Sequence, residues 1–194
     1  MANIIDEFMK SLGPTVTNQI SANLGLKNET ASQLITKVTP LILGGLKRQM
    51  EQHGGAARVD HILNKYGDPG VLNNLGSLFS SQAKNLTPDP DLGGLLGGSG
   101  NQVVNTLASQ LKLNPSIVSR FIPMIAPVIL GFLSKMRNSS QSGITGIASM
   151  LDRDGDGSIL DDVAGFLTKQ GEGSISSKNV LSGLLGSLFG RKNK

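Results

Sequence analysis

One stretch of the chain occurs twice, and this duplication limits the possible folds more than any other feature. Residues 16–50 align with residues 103–137 without a gap at an offset of 87, and 11 of 35 positions are identical. After one inserted residue, the match continues from 63–79 to 151–167 at an offset of 88. The apolar pattern repeats together with the identities, so the sequence predicts two similar units in tandem.

Both copies have the apolar period of a helix, and neither has the period of two that a half-buried strand requires. In the second copy the apolar residues follow i, i+3, i+4, i+7 spacing over four turns. They are Val118, Phe121, Ile122, Ile125, Val128, Ile129, Phe132 and Leu133. The fold class is therefore predicted to be all-α. With aromatic residues at 4%, the core is expected to consist mainly of Leu, Ile and Val.

Four helices are predicted per copy. In the first copy they cover about 4–24, the long apolar segment, about 56–65 and about 71–80. In the second copy they cover about 101–112, the second long apolar segment, about 143–151 and about 159–168. Pro40 and Pro127 lie inside the long helices, where we expect a kink or two shorter helices that meet. Gly44 and Gly131 would let another helix approach closely. Asn114 is expected to cap the second long helix, with Pro115 in its first turn, and Asn28 to cap the first.

The predicted organisation has four parts. A first helical repeat covers 1–86, a Gly/Pro-rich linker covers 87–100, a second repeat with an acidic turn covers 101–168, and an amphipathic basic tail covers 169–194. Residues 1–167 carry equal numbers of basic and acidic residues, so the net charge of +4 arises from the tail. Because residues 1–167 have no net charge, a broad nucleic-acid-binding surface is not expected there. The tail predicts a contact with an anionic membrane or an acidic partner, or packing on the second copy.

The acidic turn is the strongest local signal for a ligand. Its carboxylates alternate and are followed by Gly157, as at the start of an EF-hand loop, in which oxygens at positions 1, 3 and 5 converge on Ca²⁺. The candidate ligands are Asp152, Asp154, Asp156, Ser158, Asp161 and Asp162. The bidentate Glu of position twelve is replaced by Val163, so we predict a weak calcium site. The alternative is a metal-free turn, because Asp and Gly form turns without a metal and Ser158 with Asp161 resembles a capping box.

A second candidate is the segment 107–120, which has helix-turn-helix spacing at Ala108, Leu113 and Val118. In such a motif Ser116, Ser119 and Arg120 would face a DNA groove. Any two short packed helices have the same spacing, and this helix carries few cations. Nucleic-acid binding is therefore the alternative hypothesis.

Several other classes of chemistry lack support in the sequence. The chain has no cysteine, which removes thiol catalysis and Cys-ligated metals. His53 and His61 lack an accompanying nucleophile motif and are expected to be solvated. Asp6 and Glu7 stand where a signal peptide would be apolar, and the longest apolar stretch has about 13 residues, so we expect a soluble cytoplasmic protein.

The shared segments Pro40–Gly44 and Pro127–Gly131, together with the turn Leu151–Asp162, resemble a bacterial family. This is the domain-of-unknown-function family 937, and the YidB-like proteins are more distantly similar. The resemblance extends from about Met1 to Leu167, and the acidic turn is its most specific motif. It implies an all-helical fold and a bacterial source, and it implies no activity. We therefore expect a non-enzymatic interaction or scaffold module that binds a protein partner or self-associates.

Overall fold

The computed structural model describes residues 4–84 and 100–151, and these belong to one compact unit. Eight α-helices and one 3₁₀ helix make up nearly all of the described residues. They are α1 (Ile4–Ser11), α2 (Gly13–Leu24), α3 (Asn28–His53), α4 (Gly55–Tyr66), the 3₁₀ helix (Pro69–Asn73), α5 (Leu75–Lys84), α6 (Gly100–Leu111), α7 (Pro115–Ser139) and α8 (Gly143–Leu151). The described part of the chain contains no strand, and the all-α prediction is confirmed.

The helix boundaries repeat at the spacing that the sequence alignment predicts. Helices α6 and α7 begin 87 residues after α2 and α3, and α8 begins 88 residues after α4. The inserted residue therefore falls between the long helix and the short one, since α3 ends at His53 and α7 ends at Ser139. Tandem units of similar helical structure account for this spacing.

Two predicted helices differ from the structure. The helix expected over 4–24 is divided at Leu12, because Pro14 lacks the N–H that a continuous helix would need and clashes with the preceding turn. The helix expected over 71–80 is replaced by the 3₁₀ helix and α5. These separate at Asn74, whose Oδ1 accepts a hydrogen bond from the Ser77 N–H at 3.3 Å. A side chain that satisfies a free N–H in this way starts a new helix.

The two long helices remain continuous through their prolines. Pro40 lies inside α3, and Pro123 and Pro127 lie inside α7, so the predicted alternative of two shorter helices is wrong. Apolar residues on both sides of each proline are buried, and their burial outweighs the loss of single backbone hydrogen bonds. Beside Pro40, the buried Thr39 hydroxyl donates to the Ile35 carbonyl at 2.7 Å.

The core is built mainly from aliphatic side chains, as predicted, and α7 contributes the largest share. Phe8 of α1 meets Phe132 of α7 edge to face, with ring centroids 5.4 Å apart. Helix α7 packs against α4, the 3₁₀ helix and α5 of the first copy, and α3 packs against α8 of the second. The long helix of each copy therefore supports the short elements of the other.

Helix α7 is also the one described helix that is long and apolar enough to cross a membrane. Its most apolar window has a mean hydropathy of 1.9, and 72% of that window is buried inside the protein. Because the central helix of a packed bundle has the same composition, this is weak evidence for a membrane span.

The helix ends show how the two copies satisfy the same local geometry with different residues. Gly25 ends α2 at φ 65°, and at the equivalent position after α6 Lys112 has φ 54°. Asn114 caps α7, since its Oδ1 accepts from the Ser116 N–H at 2.9 Å, as predicted. The prediction for Asn28 is wrong. The cap position of α3 is Lys27, without a side-chain hydrogen bond, and the Asn28 amide donates instead to Asn18 Oδ1 at 3.1 Å.

Candidate functional site

The six predicted metal ligands lie outside the described residues, as do most of the linker and all of the basic tail. The helix that leads to the acidic turn is described. Helix α8 packs against α3, α4 and α7, and its last residue, Leu151, is buried. Asp152 follows directly in the sequence. In the sequence, the acidic turn therefore follows a helix that packs against helices of both copies.

The counterpart of this turn in the first copy, Asn64–Gly70, lies within the described residues. Asp68, the equivalent of Asp156, accepts a hydrogen bond from the Gly70 N–H at 2.8 Å. Pro69 follows in the first turn of the 3₁₀ helix. The carboxylate thus caps its own turn, and no group of three metal-ligating side chains occurs among the described residues. This copy holds the turn with backbone and side-chain hydrogen bonds.

Two glycines bring this turn into direct contact with α7. A Cβ atom on Gly67 would lie 2.5 Å from Ser134 Oγ and 2.7 Å from the Leu130 carbonyl oxygen. A Cβ atom on Gly131 would lie 2.8 Å from the Asp68 carbonyl oxygen. Gly131 was expected to admit another helix, but the group that approaches it is the extended backbone after α4. Backbone comes closer to backbone here than any side chain would permit.

The Arg137 side chain, near the C-terminal end of α7, adds a polar contact between α7 and the first copy. The Arg137 guanidinium donates from one nitrogen to Asp60 Oδ1 at 2.6 Å and to Asn64 Oδ1 at 2.8 Å. The Arg137 side chain is 16% exposed and that of Asp60 is 40% exposed, so solvent screens the pair in part. Three residues before Arg137 in α7, the buried Ser134 hydroxyl donates to the Leu63 carbonyl at 3.4 Å. Sequence reasoning missed this cluster, because its members are more than 70 residues apart and follow no common pattern.

Lys47 of α3 is the equivalent of Ser134, and it is the most deeply buried charged residue among those described. Its exposed fraction is 3%, and its ammonium lies 3.8 Å from a carboxylate oxygen of Glu51, one turn later. The sequence contained a signal for this burial. Lys47 lies four residues after the buried Leu43, on the apolar face of α3.

The helix-turn-helix hypothesis rests on α6 and α7, and their exposure agrees with its spacing. Ala108 and Val118 are buried between the helices, whereas Ser116, Ser119 and Arg120 are exposed. From Phe121 to Ser134 nearly every residue of α7 is buried, so the helix is exposed to solvent only in its first turns and at its C-terminal end, from Lys135 onward. The two histidines, His53 and His61, are both exposed.

Comparison with known proteins identifies the family. Neither the curated proteins nor the solved structures contain a significant match to the chain. The family described as "Bacterial protein of unknown function (DUF937)" matches twice, over residues 6–136 and 135–194. These consecutive matches together cover nearly the whole chain and are consistent with tandem copies of the family domain. The chain belongs to the bacterial DUF937 family.

Proposed function

We propose that the protein is a non-enzymatic interaction or scaffold module with a weak Ca²⁺ site formed by Asp152, Asp154, Asp156, Ser158, Asp161 and Asp162. The observation that carries the proposal is the packing of the helix that precedes the acidic turn in the sequence. The turn begins one residue after Leu151, the buried end of a helix that packs against three others from both copies. A cation held there would offset the mutual repulsion of the carboxylates and stabilise this junction.

The comparison of the two turns supports a specific role for the acidic one. In the first copy the equivalent positions carry Asn64, Tyr66 and Asp68, and this copy folds by means of the hydrogen bonds described above. In this copy the described residues of the turn are held by hydrogen bonds, including one from Arg137, and form no cluster of metal ligands. Carboxylates at all three positions in the second copy add negative charge, and oxygen-rich sites of this type favour Ca²⁺.

The test is thermal unfolding of the full chain with and without calcium. For a dissociation constant of about 1 mM, roughly 10 mM Ca²⁺ stabilises the protein by about 1.4 kcal/mol. A chain of this size would then melt about 3–6 °C higher. We expect Asp154→Ala to abolish the shift and Glu29→Ala, an exposed carboxylate of α3, to retain it. A wild-type melting curve that calcium leaves unchanged would refute the calcium site.

A second candidate function is nucleic-acid binding, which the exposure of Ser116, Ser119 and Arg120 on the first turns of α7 favours. Retention on DNA would have to fall steeply as salt increases, since each phosphate contact releases counterions. Loss of that retention in Arg120→Ala would support this function. Nucleic-acid binding through this surface would be excluded if the wild-type chain were not retained on DNA at low salt, or if Arg120→Ala were retained equally well.

The proposed partners are a second protein or another copy of this chain. The neutral composition of 1–167 provides little electrostatic attraction for a polyanion, whereas the tail carries Lys169, Lys178, Arg191, Lys192 and Lys194 against Glu172 alone. An acidic partner or an anionic membrane surface is the complement of such a tail.

A further inference from the structure

Helix α7 packs more extensively on the first copy than on its own. It contacts α2, α3, α4, the 3₁₀ helix and α5 of the first copy, and α6 and α8 of the second. Phe132 adds an edge-to-face contact with Phe8 of α1. The residues of α7 between Phe121 and Ser134 are nearly all buried, so α6 and α8 cover only part of its apolar surface. A second copy without a first would expose the remainder to water.

The first copy depends on the second in the same way. Helix α3 contacts α6, α7 and α8, and α4 contacts α8. The contacts of α3 with α7 and of α4 with α8 each join equivalent elements of the two copies, because the repeat relates these helices. Equivalent elements meet in this manner at the interface of a two-fold dimer. The duplicated chain thus has the organisation of such a dimer within one molecule.

Polar and backbone contacts make this interface specific. The Arg137 guanidinium donates to Asp60 at 2.6 Å near one end of α7, and the buried Ser134 hydroxyl donates to the Leu63 carbonyl. At Gly131 the backbone that follows α4 comes so close to α7 that a Cβ atom would lie 2.8 Å from a carbonyl oxygen. A buried apolar centre with a charged pair at its margin is the usual composition of a stable protein interface.

The rest of the described surface offers no comparable apolar area. Every Leu, Ile, Val, Phe and Met whose side chain the structure describes is buried or half-buried. Most of the half-buried ones pack against the core. Two chains that associate through their described residues therefore find their most apolar complementary surfaces where the two copies already meet.

We propose that this interface is also the surface through which the protein self-associates. Two chains exchange their second copies, so that α7 of each chain docks on the first copy of the other. The contacts described above join residues 4–84 to residues 100–151, and exchange preserves each of them between chains. Exchange of identical elements is a low-cost route to a dimer for this reason. The inference rests on the self-association proposed above, for which it names the surface, and does not involve the calcium site.

The test uses two full-length variants with complementary charges. Asp60→Arg places a cation opposite Arg137, and Arg137→Asp places a carboxylate opposite Asp60. The folded monomer of either variant therefore contains a like-charge contact. In an exchanged heterodimer, one interface pairs the two new residues and the other pairs the two natural ones. Exchange thus replaces both like-charge contacts with attractive pairs.

The two variants are mixed in urea, refolded together at high protein concentration and analysed by native mass spectrometry. The control mixture contains Lys135→Asp in place of Arg137→Asp, because Lys135 is exposed on the same helix and its reversal repairs no contact. We expect about tenfold more heterodimer than in the control, since solvent screens each repaired pair in part. Equal amounts in both mixtures would overturn the inference and leave self-association through another surface standing. No heterodimer in either mixture would refute both.

A second measurement uses the wild-type chain and so does not depend on the stability of variants. Dimers held by surface contacts separate on dilution, whereas an exchanged dimer separates only when the copies come apart, which is as slow as unfolding. The chain is refolded at high concentration, and the dimer is isolated by gel filtration and diluted. We expect it to persist in native buffer and to become monomeric only in urea that unfolds the protein. Rapid dissociation in native buffer, or the absence of a dimer, would contradict the exchange.

Discussion

Replacement of Gly67 by alanine tests the close contact between the first turn and α7. The new Cβ atom would lie 2.5 Å from Ser134 Oγ, 2.7 Å from the Leu130 carbonyl oxygen and 2.8 Å from the Leu63 carbonyl oxygen. Ordinary contacts of a Cβ begin at 3.4 Å. Two of the three obstacles are backbone atoms that no rotamer change can remove. To bring the Leu130 carbonyl oxygen to 3.4 Å, the turn and α7 must separate by about 0.7 Å, which sacrifices packing along their contact.

Overpacking of a core by a methyl group typically costs about 1–3 kcal/mol. We place Gly67→Ala near the upper end, at about 3 kcal/mol, because three atoms obstruct the methyl group. Gly67 has a negative φ of −103°, so the loss would report the contacts of the new methyl group rather than a left-handed backbone. For a chain of this length the melting temperature should fall by about 6–12 °C.

The control is Gly76→Ala in α5, where the nearest atom to a new Cβ is 3.8 Å away. This change should leave stability equal or raise it by up to about 1 kcal/mol, since alanine favours a helix. Adding Ser134→Gly to Gly67→Ala should restore only part of the loss, because both carbonyl oxygens remain. Equal melting temperatures for Gly67→Ala and Gly76→Ala would show that the close approach is not a constraint.

Two further predictions concern helix ends, where the copies serve as controls for each other. Lys112 has a left-handed φ of 54° at the position that Gly25 occupies in the first copy. Lys112→Gly should therefore raise the free energy of unfolding in urea by about 1 kcal/mol. A loss of stability would contradict this account. Asn114→Ala removes the acceptor for the Ser116 N–H and should cost about 1 kcal/mol. Lys27→Ala, at a cap without a side-chain hydrogen bond, should cost little, and equal losses for the two would refute the capping argument.

Local chemistry made the helices predictable. The period of the apolar residues identified the long helices and their buried face, and the 87-residue offset gave the second set of boundaries from the first. Asn114 and Pro115 marked the start of α7, because a cap depends on residues within one turn of it. The same local logic failed at Asn28, since Asn18, a residue ten positions away, engages its side chain.

Part of the candidate site was also readable from the sequence. The acidic turn stays a prediction from its regular spacing of carboxylates, because its six candidate ligands lie outside the described residues. The Arg137 cluster was not readable from the sequence, because Asp60 and Asn64 reach it only when α4 packs on α7. The burial of Lys47 was not predicted, although its place four residues after Leu43 on the apolar face of α3 was a usable signal.

The sequence by itself determined that this chain is helical, that it is duplicated, and that its two turns differ in charge. These properties depend on neighbours a few residues apart, or on simple identity between the copies. Only the tertiary structure decided that each long helix supports the short elements of the other copy, and that Gly67 and Gly131 let backbone touch backbone. Such contacts depend on how distant surfaces fit together, and the fit is a property of the packed whole rather than of any local segment.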